Sequence, residues 1–456
     1  MYNEAVPVKE LEMAIRPKSC SFLLLCIAAM SLTACAAGME ATPPPSSTTT
    51  EAAPTLEPPG ATISLPTETT LPEPTQTPLP TATASPDLSP RTGIPIGRLA
   101  AGTELALESI WMVDVEHGWA IGGSQDERMH VLRTEDGGST WQDVTPPEPV
   151  AGDIRYVQAV ADFLNEHVGW VTFQHPPGPQ GFATPVVWLT QDGGASWMQS
   201  EPLDVDDFLG FYGPSRIGFS DRQSGWLMLD LDAAMMHRYI ALYTTADGGM
   251  TWSRVVDPQD DAPIQTGDKT GLMMDSAGNG LLTRDLHGLV EGASVEITRD
   301  GGAIWVSLPL DVPDDVAATQ VCAAHSPDIR EGRWAVGVTC LLFNEGQDDE
   351  GEIWLPGNAY LFLSDDGGDT WSRRDAPGGR LAYLAGDVIL SLGRELHRSQ
   401  DGGVTWAFIK SVAWDADFSF LSAQRGWAAA RAEDERALVS TLDGGLTWQE
   451  LFPRVP

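Results

Sequence analysis

Basic residues are scarce in this chain: 27 Lys and Arg stand against 64 Asp and Glu among 456 residues, for a net charge of -37. Gripping a phosphate backbone takes clustered cations, so nucleic acid is excluded as a partner. An anionic membrane surface is excluded for the folded part on the same ground. The five cysteines and eight histidines show no metal-type spacing, so no metal and no cofactor is expected. Nucleophile elbow, P-loop, zincin and dinucleotide motifs are all missing. The apolar run from Phe22 to Leu32 is too short to span a bilayer.

That run, preceded by Arg16 and Lys18, reads as the core of a signal peptide, with Met13 as an alternative start. It ends in Leu32-Thr33-Ala34-Cys35, which resembles the lipobox of bacterial lipoproteins. The resemblance implies that residues 1–34 are removed and that Cys35 is lipidated; an ordinary signal peptide with an incidental Cys is the other reading. Residues 35–90 are rich in Pro, Thr and Ser and nearly free of aromatics. Such a segment buries too little surface to fold and reads as a disordered tether, with a reach of roughly 40 Å as a random coil. The localisation expected is the bacterial cell envelope, lipid-anchored and facing outside the cytoplasm.

From residue 91 to 456 the chain repeats one turn seven times. The first copy is Thr134-Glu-Asp136-Gly137-Gly138-Ser-Thr140-Trp141, and the others end at Trp197, Trp252, Trp305, Trp371, Trp406 and Trp448. The Asp residues (Asp136, Asp192, Asp247, Asp300, Asp366, Asp401 and Asp443) are placed to accept backbone N–H groups just ahead of them. Two glycines permit positive φ, and the hydroxyl two residues before each Asp ties the turn further. This chemistry describes a folding module with no active site.

A second motif precedes most turns by about twenty residues: Gly118-Trp119, Gly169-Trp170, Gly225-Trp226, Arg333-Trp334 and Gly426-Trp427, weakened to Gly280-Leu281 in repeat four and read as Asp387-Val388 in repeat six. Each unit therefore reads as four strands, A to D, in repeat one about 109–114, 118–123, 129–134 and 140–144. Seven such sheets cover one another only when arranged radially. The fold class predicted is all-β, a seven-bladed propeller of four-stranded antiparallel blades over residues 91–456. Residues 91–104 are placed to add an outer strand to the last blade, although the sequence leaves the mode of closure open. Cys322 and Cys340 fall on neighbouring predicted strands, where a disulfide and two free thiols stand equally open.

The turns resemble the Asp-box, or BNR repeat, of bacterial sialidases and related propellers. Taken with the Gly-Trp motif, residues 105–452 look most like the photosystem II assembly and stability factor family. That resemblance implies a seven-bladed propeller acting as a binding and assembly protein. Ile304, where a hydroxyl residue is usual, departs from the pattern.

Asp turns and A–B turns fall on one face, and the variable B–C and D–A loops on the other, where propellers meet ligands. The variable loops are acidic: Glu201 to Tyr212, Asn344 to Trp354, and Asp260, Asp261, Asp314 and Asp315. They read as a solvated rim or a surface for a cation or basic partner. Phe211, Tyr212 and Trp354 are candidates for stacking on sugar or peptide, or for anchoring loops. Arg155, Arg216 and Arg380 stand near the starts of A strands, placed to hold a carboxylate at the channel mouth or to pair with neighbouring acids. The function expected is a monomeric, non-catalytic propeller binding a protein, peptide or glycan in the cell envelope through its loop face. The alternative is a glycoside hydrolase of sialidase-like type, but no Tyr-Glu pair can be placed and the sialidase Arg-Ile-Pro motif is missing.

Overall fold

A computed structural model describes residues 93–456 except 151, 178–181, 209, 235–236, 260–262, 288–291, 331, 346–351 and 385. Cys35 and the tether, together with Asp260, Asp261 and most of the loop after Glu345, lie outside the described residues. The described part is a seven-bladed propeller of antiparallel sheets. In blade one the strands are Ala106–Met112, Gly118–Gly123, His130–Thr134 and Gln142–Asp143, so the A strand begins three residues earlier than the sequence pattern suggests. The inner strands of the other blades are Gln158–Phe163, Tyr212–Phe219, Asp268–Met274, Gln320–Ala324, Arg380–Tyr383 and Asp415–Phe420. Blade five carries an extra short strand, Asp328–Arg330, paired with its second strand.

The Asp turn works as its residues require. In blade one Asp136 Oδ1 accepts the N–H groups of Ser139 and Thr140 at 3.0 and 2.9 Å, and Oδ2 accepts the Thr140 hydroxyl at 2.7 Å. The Thr134 hydroxyl donates to Asp136 at 2.9 Å and accepts the Gly138 N–H at 3.0 Å. All seven Asp carboxyls are held below the usual range. At Asp366 and Asp401 the hydrogen bonds from Thr370 and Thr405 bring them to about 2. Both glycines of every turn have positive φ, from 71° to 101°. The second one also faces the preceding blade: a Cβ on Gly403 would lie 2.4 Å from Leu361, and one on Gly445 would lie 2.8 Å from Leu396. The turn is therefore both a hairpin closure and the joint between blades.

The Gly-Trp motif has an equally local cause. The last residue of the inner strand pairs with the motif glycine, and its side chain lies over it: Phe163 on Gly169, Phe219 on Gly225, Phe420 on Gly426. A Cβ at these three glycines would sit 2.4 or 2.5 Å from the ring. The Trp that follows reaches the next blade, as Trp170 Nε1 does to Gly248 O at 2.8 Å. In blade six the register corrects the sequence reading. Tyr383 pairs with Ile389, so Ile389-Leu390, and not Asp387-Val388, occupies the motif's place. The Asp387-Val388 reading fails because neither slot residue there is Gly or Trp, which leaves no local signal to fix the alignment.

The core is divided among the seams between blades. One cluster joins Trp119 and Val131 of blade one to Val171 and Trp188 of blade two, and another joins Trp427 and Leu438 of blade seven to Ile110 and Trp141 of blade one. The ring closes through that last seam: Ile110 N–H donates to Asp417 at 2.9 Å, Met112 N–H to Ser419 at 2.9 Å, and Trp427 Nε1 to Gly137 O at 2.9 Å. Of the segment 91–104, expected to add an outer strand to blade seven, the described residues 93–104 add none, and the four strands of that blade all come from residues 415–451. Ile94–Pro95 pairs instead with Pro149–Val150, and Gly102 to Leu105 pair with the tail at 453–455 over blade one. The reason lies in blade one itself. Asp143 accepts the Leu99 N–H at 2.8 Å and Arg98 at 3.2 Å, which draws the segment across blade one. Cys322 and Cys340 face each other on the first two main strands of blade five and form a disulfide.

Candidate functional site

The inner strands of blades one to four, with Ser326, Ile329 and Trp334 of blade five, line a channel of about 950 Å³. Edge strands leave N–H groups without a sheet partner, and here neighbouring side chains supply one. Asp162 Oδ2 accepts Phe219 N–H at 2.8 Å, across the seam between blades two and three. Burial pushes the Asp162 carboxyl up to about 6, against the hydrogen bonds from Phe219 and Phe163. It lines the channel beside Trp111, Arg216 and Trp226.

Arg216 is the one of the three sequence-nominated arginines that lines this channel. It is half-buried, its Nη2 donates to Lys269 O at 2.9 Å, and burial lowers its pKa. Arg155 lies in a 3-10 turn just before the inner strand of blade two and pairs with Asp153 at 2.7 Å. Arg380 opens the inner strand of blade six and pairs with Asp417 at 2.7 Å. Both are exposed.

Around Arg216 the seam between blades three and four is densely charged. Lys269 is buried, and its ammonium donates to the carbonyls of Arg238 at 2.6 Å and Gly267 at 2.9 Å. Loss of solvent brings Lys269 down to about 7. Arg238 bridges Asp268 at 2.7 Å and Asp230 at 3.3 Å, and His287 reaches Asp268 at 3.1 Å. Deeper in the blade Arg284 pairs with the fully buried Glu296. Sequence reasoning missed Asp162 and Lys269. For Lys269 a signal existed: it is one of four lysines in the chain, set in the alternating run Asp268 to Met274.

On the loop face Phe182, Phe208, Phe211 and Tyr212 gather. Phe182 meets Phe211 edge-on at 5.3 Å and Tyr212 at 5.5 Å, and the Tyr212 hydroxyl donates to Phe182 O at 3.3 Å. Phe211 and Tyr212 are half-buried. Trp354 belongs to the long strand Glu352–Ser364 of blade five, its backbone paired with Phe343. Asp314 and Asp315 open a one-turn helix, Asp314–Ala317. No group of three or more His, Cys, Asp or Glu among the described residues is placed to hold a metal, and none of the described helices is long and apolar enough to cross a membrane.

No family model and no curated protein matches the chain. Among solved structures it is similar to YCF48 bound to D1 peptide, at 19% identity over 78% of this chain and 99% of that one, with a TM-score of 0.44. It is also similar to a polysaccharide lyase of family PL25, an ulvan lyase, at 10% identity over 77% and 96% with a TM-score of 0.46. A third is the GH93 alpha-L-arabinofuranosidase of Fusarium graminearum, at 13% identity over 62% and 91% with a TM-score of 0.39. These likenesses concern the propeller fold.

Proposed function

We propose that this chain is a lipid-anchored, extracytoplasmic, non-catalytic propeller that binds a protein or peptide partner through its loop face and channel mouth. The observation that carries the reading is a combination along one inner strand, Tyr212–Phe219. Arg216 lines the channel of about 950 Å³, while Phe182, Phe208, Phe211 and Tyr212 form an aromatic shelf at the loop-face end of the same strand. An apolar shelf next to a fixed cation suits a peptide segment ending in a carboxylate, because charge-assisted hydrogen bonds orient it and ring contacts bury its side chains. Arg155 and Arg380 lie exposed near the ring's inner strands, where exchange of a carboxylate partner costs little. The lipid anchor rests on the Leu32-Thr33-Ala34-Cys35 tetrad.

The test is crosslinked capture from host membranes with the full chain. Partner capture is expected to fall when Arg155, Arg216 and Arg380 are changed to Ala with the fold intact; unchanged capture overturns the site. Turnover of chromogenic glycosides, sialosides included, overturns the non-catalytic reading. Mass spectrometry of the mature chain decides the anchor, which fails if Cys35 carries no lipid.

A further inference from the structure

Two seams between blades are sealed by stacked rings, and the seam between blades five and six is built differently. Between blades one and two, Trp119 stacks on Phe163 with centroids 4.5 Å apart, and between blades two and three Trp170 stacks on Phe219 at 3.6 Å. Both stacks need the motif glycine beneath the Phe ring. Blades five and six have both lost that glycine: Arg333 pairs with Arg330 where it would stand in blade five, and Ile389 stands there in blade six. A side chain at Ile389 bars Tyr383 from lying flat over it as Phe163 and Phe219 do. A cavity of about 500 Å³ opens at this seam, lined by Asp328, Arg330, Arg333, Tyr383, Leu384 and Ile389, on the face that carries the Asp turns.

Its polar groups are arranged but incompletely used. Arg330 Nε meets both carboxylate oxygens of Asp328 at 2.9 and 3.1 Å. Arg333 pairs with Asp365 at 2.6 Å and with Asp387 at 3.6 Å on the rim. The Tyr383 hydroxyl is shut off from water and has no hydrogen-bond partner among the described residues. A buried hydroxyl left without a partner costs stability, so its presence points to a ligand that completes it. Burial also pushes the Asp328 carboxyl up, toward the form that donates as well as accepts.

We infer that this pocket is a second binding site, opposite the loop face, for a neutral, hydroxyl-rich ligand of the size of one or two sugar rings. Each guanidinium already holds a carboxylate, so an entering anion would meet three acids and an entering cation two guanidiniums. Hydroxyls that both give and accept hydrogen bonds fit the Arg-Asp pairs and Tyr383 without disturbing that balance. Leu363, Leu384 and Ile389 supply an apolar wall for the C–H face of a sugar ring. The volume falls within the roughly 300–1,000 Å³ span of small-ligand sites.

The test is titration of the full chain with methyl glycosides of glucose, galactose, mannose and N-acetylglucosamine and their disaccharides, read by saturation-transfer NMR and calorimetry. At least one binds, Tyr383→Phe weakens it about tenfold, Asp328→Asn weakens it, and Arg216→Ala in the channel leaves it unchanged. Tyr383→Phe leaves the melting temperature level or raises it, because it removes an unsatisfied hydroxyl. The inference is overturned if no glycoside binds, or if binding survives Tyr383→Phe and is lost with Arg216→Ala. Binding at this pocket of inorganic phosphate or a lysine peptide in place of the sugars overturns it as well. Partner capture at the loop face is read separately, so either site can fail without the other.

Discussion

Blades two and three meet over two stacked rings, whereas blades five and six meet around a hole. The first seam has Trp170 on Phe219 at 3.6 Å with the indole N–H on Gly248 O. The second has Arg333 and Ile389 in the glycine slots and about 500 Å³ of space. Both seams are built on the four-strand unit, so the difference comes from the residues in the glycine slots and from the extra strand Asp328–Arg330, which brings Asp328 and Arg330 to the open seam. The recurring residues seal the ring, and chemistry gathers where the repeat departs from itself. Truncation at the sealed seam is the strongest way to break this contrast. Trp170→Ala removes a fully buried indole and is expected to cost about 3–5 kcal/mol in denaturant unfolding. Tyr383→Phe at the open seam is expected to cost nothing, and equal losses at the two seams would erase the distinction.

Blade five, which lost its motif glycine, is also the blade with the disulfide. Cys322 and Cys340 are 18 residues apart in sequence and are buried. Closing a loop of that size in the unfolded chain is worth about 2–4 kcal/mol. The double substitution Cys322→Ala and Cys340→Ala is therefore expected to lower stability by that amount. The staple packs with Val295 and Ile297 of blade four, on the side of blade five away from the open seam, so the double variant is expected to leave sugar binding at that seam unchanged. A melting temperature unchanged from wild type would show that blade five needs no staple.

How far the chain could be read follows from the same contrast. The Asp turns, Gly118-Trp119 and its copies were legible because each residue answers a backbone demand within a few positions: a positive φ, an N–H to cap, a ring needing room. The blade count and strand order followed from them. The register of blade six was not legible, because Ile389-Leu390 looks like any strand. The course of the segment before blade one was not legible either, since it depends on Asp143 capturing Leu99 from 44 residues away. The site was least legible. Arg216 was reachable as a cation near an inner strand. Asp162, Lys269 and the Tyr383 pocket owe their character to neighbouring blades, which sequence spacing does not report.

The glycine slots sharpen the comparison at smaller amplitude. Gly225→Ala places a Cβ 2.5 Å from the Phe219 ring, which must tilt and lift Trp170 with it. The expected loss is about 1–3 kcal/mol by urea unfolding. Blade six has already accommodated a side chain there, so Ile389→Val is expected to cost only about 0.5–1.5 kcal/mol. If Gly225→Ala proved as mild as Ile389→Val, the glycine would be a relic and not a requirement.

The smallest effects are read in pH, where repeated and unrepeated carboxylates act with opposite sign. The seven turn carboxylates are depressed when folded, so the stability they give is present above about pH 4 and is lost as pH falls toward 2. Asp162 is raised to about 6, so the folded chain holds a proton that the unfolded chain has released, and stability declines as pH rises from about 4 to 6. Melting temperature against pH is therefore expected to fall steeply on the acid side and to sag gently between pH 4 and 6. Asp366→Asn with Asp401→Asn should blunt the acid limb and leave the sag. Asp162→Asn should remove the sag and leave the acid limb, because the amide still accepts the Phe219 N–H without ever carrying charge into the channel wall. A sag that outlives Asp162→Asn would mean that another acid raised by burial, Glu296 or Asp328, sets the slope.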